Sequence, residues 1–174
     1  MNRSGRTATS TVLIRTDFLQ GKDLPMNNLS IACATDGDVA DVASLLGVQL
    51  DEHGMGMSGD AVARALLGIV TRPERGRVLV ARKDGVAVGF AVLPFTWTVE
   101  HGGLSAWLDE LYVVPELREH GIGAKLLLVA MEVVRAEGCI AMDLEVDADH
   151  ARVESLYLRH GFRLLPRKRF ARRL

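Results

Sequence analysis

Cysteine is scarce in this chain: Cys33 and Cys139 are its two thiols, far apart and each among apolar neighbours. Two such residues cannot make a disulfide framework, and a reducing cytoplasm is the expected compartment. An excess of one charge is also missing. The formal net charge is −1 at pH 7, so nothing global draws the chain to nucleic acid or to an anionic membrane. Residues 1–28 hold no apolar run long enough to span a bilayer or to serve as a secretory core, so they are not expected to be a membrane anchor. His53, His101, His120 and His160 show no metal-ligand spacing and have no cysteine nearby to complete a zinc site, so no metal is expected. The basic end, Arg163, Arg167, Lys168, Arg169, Arg172 and Arg173, has no aromatic platform for bases beyond Phe162 and Phe170, and reads as a solvated strand and tail. Internal repeats and low-complexity segments are absent.

What is present is one domain's worth of chain, 174 residues at 48% hydrophobic content, enough to bury a core. Residues 1–28 are polar, with Arg3, Arg6 and Arg15 among serines and threonines. They resemble an organelle presequence in composition, but are read as a flexible extension or as the product of a start placed upstream of Met26. The domain proper is expected over 29–174. Leu29 to Cys33 predicts a short strand, and Thr35-x-x-Asp38 a capping-box opening to a helix bearing Val39, Val42, Leu45 and Leu46. A glycine-rich loop over 51–58 follows, with Ser58 or Asp60 capping a second helix that carries Val62, Leu66 and Ile69. Arg77 to Ala81 and Val86 to Leu93 are β-rich runs joined by Asp84-Gly85, a hairpin signal.

The chain is organised around Leu108 to Met131, which reads as strand, glycine turn, helix. Pro115 ends the strand. Arg118-x-x-Gly121-x-Gly123 then opens a helix from Ile122 to Glu137, closed by Gly138. The unpartnered amides at that helix start, the helix dipole and the Arg118 guanidinium suit a phosphate or pyrophosphate. A nucleotide P-loop is excluded because Ala124-Lys125-Leu126 offers no hydroxyl for magnesium. A dinucleotide fingerprint is excluded because Leu126 stands where a third glycine is needed. Cys139 to Val146 alternates as a strand, parallel to the run Leu104 to Val114 by a right-handed crossover. His150 to His160 reads as a last helix, and Phe162 to Leu165 as the start of a final strand.

These motifs resemble the GCN5-related N-acetyltransferases. Arg118, Gly121 and Gly123 match that family's acetyl-CoA motif, and His150 to Phe162, with Tyr157 and Gly161-Phe162, is similar to its second motif. Phe95-Thr96-Trp97 ahead of Leu108 to Val113 looks most like the diamine acetyltransferase branch. The resemblance covers about Ser30 to Phe170. It implies an α/β fold: a mixed, mostly antiparallel twisted sheet of about six or seven strands with a central parallel pair, flanked by helices. It also implies acetyl transfer from acetyl-CoA to a primary amine of a small molecule of polyamine or diamine type, by direct attack, with a homodimer as the family expectation. The alternatives are a protein or peptide N-acetyltransferase and a non-catalytic acetyl-CoA sensor.

Carried over residue by residue, the cofactor would lie on Leu111, Tyr112, Val113, Arg118, Glu119, His120, Gly121, Ile122, Gly123, Ala124, His150 and Tyr157. Tyr157 takes the role of acid toward the leaving thiolate. Asp109 takes that of the base and Glu110 that of its acidic neighbour, which helps to hold a cationic substrate. As successive strand residues their side chains are expected on opposite faces, so that one of them meets the acceptor. Glu119 stands where the family has glycine, and His150 where it has asparagine, so the polar contact near the pantetheine arm would fall to an imidazole. The loops over 52–58 and 96–103 are the expected acceptor-specificity segments.

Overall fold

The computed structural model describes residues 28–147 and 151–172; all but the last residue of the extension expected over 1–28, and His150, lie outside them. The element order is β1 (Leu29–Cys33), α1 (Val39–Glu52), α2 (Gly59–Val70), β2 (Gly76–Lys83), β3 (Val86–Thr98), β4 (Gly103–Leu108), β5 (Glu110–Val113), α3 (Ile122–Ala136), β6 (Ala141–Leu144) and α4 (Ala151–Arg159). The capping box at Thr35 and Asp38 forms as its spacing predicts, through one 3-10 turn that leads into α1. Ser58 caps α2 by accepting from the Ala61 amide. At the β2–β3 turn Asp84 and Gly85 both adopt positive φ, 51° and 82°, the geometry that a two-residue hairpin turn demands.

Six strands form one sheet among the described residues, in the order β1-β2-β3-β4-β6, with β5 paired to β3 beside β4. All pairings are antiparallel except β4 with β6, the parallel pair made by the α3 crossover. One face of the sheet packs on α3, where Leu79, Leu93, Leu126 and Leu127 are fully buried. The other packs on α1 and α2 through Val42, Leu50, Val62, Leu66, Phe90 and Val92. Burial of this size on both faces is the main stabilising term, at roughly 25 cal/mol per Å2 of apolar surface.

Three expectations are corrected. The strand foreseen from Leu104 to Val114 is two strands broken at Asp109. The strand from Cys139 to Val146 shortens to Ala141–Leu144, because its pairing with β4 covers only Ser105 to Leu108. Phe162 to Leu165 starts no strand. Pro166 follows with no N–H for a ladder. Side chains hold that segment instead, Arg167 on Glu100 and Arg169 on Glu145.

Candidate active site

The break at Asp109 is a β-bulge. Three steps along β3 from Val92 to Phe95 face four steps from Ala106 to Glu110, so one residue is extra. That residue is Asp109, whose amide donates to the Val92 carbonyl at 2.9 Å. The bulge reverses the side-chain alternation. Leu104, Ala106 and Leu108 face α3, whereas Tyr112, an even step further on, is buried beneath α1 and α2.

The consequence falls on the two carboxylates. The expectation that Asp109 and Glu110 point to opposite faces holds for a regular strand, and the bulge overturns it. Both line one cleft with Leu46, Leu50, Met57 and Val92. Its wall is otherwise apolar, supplied by α1, α2 and the loop before α2. Burial pushes the Glu110 carboxyl above its usual range, and the neighbouring Asp109 charge adds to the rise. A hydrogen bond from Gln49 Nε2 at 2.5 Å opposes it, and Asp147 raises it further. Burial also raises Asp109, against the pull of the Arg169 guanidinium, which itself lies over the Trp107 ring.

On the side of the sheet away from β3, β5 has an open edge among the described residues, since β6 pairs with β4 and goes no further there. Val114 donates to the Val88 carbonyl, so by alternation the backbone groups of Leu111 and Val113 point toward that edge. The Val113 carbonyl takes Arg118 Nε at 2.9 Å. The Leu111 groups and the Val113 amide are thus directed to where an extended ligand bearing its own amides could pair as a strand does.

Directly beyond lies the glycine turn. Gly121 has φ 78° and caps α3, whose first backbone bond is Lys125 N to Gly121 O at 3.0 Å. The amides of Ile122, Gly123 and Ala124 are therefore without intrahelical acceptors, and with the dipole they favour an anion. Glu119 also has positive φ, 67°. This explains the glycine preference at that position, because a side chain there costs about 1–2 kcal/mol. His120 is half-buried, with Nδ1 sealed from solvent and unpartnered among the described residues.

Arg118 itself turns toward α1. Its Nη2 donates to Glu52 Oε2 at 2.8 Å and its guanidinium sits over the Tyr112 ring, whose hydroxyl also donates to Glu52. Tyr157, on α4, is 8% exposed and joins the core on the α3 face, edge-on to Phe162 with ring centroids 5.7 Å apart. Burial pushes its phenol up to about 12. Among the described residues its hydroxyl has no hydrogen-bond partner, so it is available to a ligand.

Sequence reasoning missed Gln49 and the contacts of Glu52. The signal for Gln49 was a polar residue inside the apolar stripe of α1, seven positions after Val42, where a helix presents the same face. Glu52 was expected in an acceptor loop; it instead ends α1, and nothing local marked its partners, which stand on β5 and the turn after it. Among the described residues no group of three His, Cys, Asp or Glu side chains is placed to hold a metal ion, and no helix is long and apolar enough to cross a membrane.

Comparison with known proteins agrees with this geometry. Residues 49–162 match the Acetyltransferase (GNAT) family. The chain is 34% identical over 103 residues to an aminoglycoside N(6')-acetyltransferase type 1 of Klebsiella aerogenes, covering 58% of this chain and 67% of the relative. A solved putative acetyltransferase from Arthrobacter sp. FB24 superposes with TM-score 0.72 at 31% identity, over 83% of this chain and 96% of that one. An aminoglycoside N-acetyltransferase solved in complex with CoA shares the fold at TM-score 0.73 and 20% identity, over 84% of this chain and 95% of that one. The fold is thus that of known acetyltransferases, and the chain belongs to the acetyltransferase (GNAT) family as an acetyl-CoA-dependent N-acetyltransferase.

Proposed function

We propose that the acceptor is a small primary amine with an apolar body and more than one cationic group, of diamine or polyamine type, acetylated by direct attack. The observation that supports this is the cleft at the bulge, where Asp109 and Glu110 meet an apolar wall. Such a lining suits a cation carried on methylenes better than a polyhydroxylated sugar, which would leave the wall wet. A second copy of the chain is the partner we propose, with the exposed Trp97 and Val99 as the surface it would cover, and the cytoplasm is the proposed compartment.

Acetyl-CoA lies, on this reading, along the open edge of β5. Leu111 and Val113 pair with its amide-bearing arm, and the amides of Ile122 to Ala124 receive its pyrophosphate. Ile122 contributes its backbone amide, since its side chain is buried, whereas Tyr112, with its backbone paired to Phe90 on β3 and its side chain buried, supports that edge from behind. His150, outside the described residues, remains proposed for the same arm. The resemblance gives the base's role to Asp109; we instead assign Glu110 to take the proton from the attacking amine, because Gln49 on α1 holds it within the cleft. It faces α1 within the cleft, and its raised pKa brings it closer to neutrality as a base. Asp109 holds the cationic substrate beside it, and Tyr157 protonates the departing thiolate.

The test is a screen of amines for acetyl-CoA-dependent thiol release, with diamines, polyamines, aminoglycosides and a peptide with a free N-terminus as arms. Diamine or polyamine turnover with kcat/KM at least tenfold above the other arms is the expected result. Preference for the peptide would establish the protein-acetyltransferase alternative, and turnover of none would leave the acetyl-CoA sensor.

A further inference from the structure

Gln49 is 7% exposed, and it spends one of its two polar atoms on Glu110 through Nε2 at 2.5 Å. An ionised carboxylate has no proton to give, so the amide nitrogen must face it and the carbonyl oxygen must face elsewhere. That oxygen, Oε1, is sealed from solvent and meets no donor among the described residues. Buried acceptors are seldom left open in folded proteins, and one beside a base calls for a donor. Amide bond lengths place Oε1 roughly 2.2 Å from Nε2, so a donor to it can share the corner that holds the Glu110 carboxylate. Leu46 and Leu50, one turn before Gln49 and the residue after it, line the acceptor cleft together with Glu110, the partner of Gln49.

We propose that Gln49 is a positioning and selectivity residue: its Oε1 accepts one N–H of the substrate nitrogen while Glu110 takes the other, restricting acetylation to primary amines. This rests on the acceptor site proposed above. A neutral primary amine brings two N–H bonds and a lone pair. The lone pair attacks the thioester carbon, the C–N bond forms and the C–S bond breaks. One nitrogen proton passes to Glu110, and the thiolate takes a proton from Tyr157. The second N–H survives in the amide product and donates to Gln49 Oε1 before and after attack. In a neutral secondary amine or an alcohol the single N–H or O–H has to go to Glu110, so Oε1 is left unpaired throughout, and transfer is disfavoured.

The experiment uses the full chain, the best primary amine from the screen and the same compound methylated at the acetylated nitrogen. Steady-state kcat/KM for both is measured in the wild type, in Gln49→Met and in Gln49→Leu, with melting curves for each. The ratio of the two substrates is independent of the fraction folded. In the wild type the primary amine is favoured, and either variant shrinks that preference about ten- to a hundredfold, the range for one lost buried hydrogen bond. Loss of the Nε2 bond to Glu110 lowers turnover of both substrates together and cancels in the ratio, whereas loss of Oε1 falls on the primary amine alone. A ratio unchanged from wild type in the variants, whatever their absolute rates, overturns the role of Gln49 and leaves the acetyltransferase reading standing. A wild type that acetylates no primary amine overturns both.

Discussion

Arg118 Nη2 donates to Glu52 Oε2 at 2.8 Å, tying the turn before α3 to the last residue of α1. The arginine also fixes the open edge of β5 through the Val113 carbonyl. Its charge therefore reaches a pyrophosphate at the α3 amides only in competition with a carboxylate. Arg118→Ala should weaken binding of CoA by about 1.5–3 kcal/mol, tenfold or more, as expected for a charged hydrogen bond. Glu52→Ala should strengthen it severalfold at low salt. Calorimetric titration of both variants decides this, and unchanged affinity in Arg118→Ala would remove the guanidinium from the cofactor site.

The same tie predicts a pH dependence of stability. The hydrogen bond from Arg118 holds the Glu52 carboxyl below the usual carboxylate range. A depressed folded pKa contributes stability that is present above the ordinary, unfolded value and is lost as pH falls through the folded one. Melting temperature should therefore drop more steeply in wild type than in Glu52→Ala between about pH 4.5 and pH 3, the region below the ordinary glutamate value. Parallel slopes would mean that the contact contributes nothing in solution.

Glu110 has the opposite sign. Its folded pKa is raised, so the proton it holds stabilises the fold at low pH, and that contribution is lost as pH rises through the folded value. At neutral pH the ionised carboxylate is kept at the expense of stability. Glu110→Gln should melt above wild type at pH 7 while losing about 10² to 10⁴ in kcat, the range for a general base. It should also lose the acidic limb of the pH–rate profile. Asp109→Asn should keep that limb and raise KM. Interchanged phenotypes would assign the base to Asp109.

The two carboxylates show what was legible in the sequence and what was not. The strand, glycine turn and helix around Gly121 could be read because apolar periodicity, Pro115 and the glycines are local signals, as is the Asp84-Gly85 hairpin. The direction of Asp109 and Glu110 could not. It depends on one extra residue against β3, a matter of register between strands that no property of residues 104–114 announces. The partner of Glu110 is Gln49, 61 positions away, and that of Arg118 is Glu52, 66 away, so both contacts exist only once the sheet is assembled. The loss of the last expected strand was partly readable, since Pro166 stood in the sequence.

Glu119 gives a test in which a substitution should improve the protein. At φ 67° a side chain costs about 1–2 kcal/mol, of which glycine's greater freedom in the unfolded chain returns roughly 0.4–1. Glu119→Gly should thus be neutral or stabilised by up to about 1.6 kcal/mol, and it removes a negative charge beside the anion turn. Tighter CoA binding, with an effect that shrinks as salt rises, is the expected titration result. Weaker binding would mean that the Glu119 side chain contributes to the site.

Tyr157→Phe separates a proton donor from a core ring. The phenol is pushed up to about 12 by burial alone, whereas an ordinary thiol sits near ~8.5, so in water the transfer to a thiolate would run uphill. On the proposed reading, the burial that raises the phenol would raise a thiol held beside it as well, because both anions would be poorly solvated, and the hydroxyl would supply the thiolate with a hydrogen bond. Geometry can therefore make Tyr157 the acid despite its pKa. The variant keeps the edge contact with Phe162, so stability should change little. Turnover should fall about 10² to 10⁴ with CoA affinity nearly intact. In the wild type, no basic limb attributable to Tyr157 should appear below about pH 11, since a group titrating near 12 stays protonated there. Full turnover in Tyr157→Phe would return the residue to the core and require another donor, with water in the open edge of β5 the first to examine.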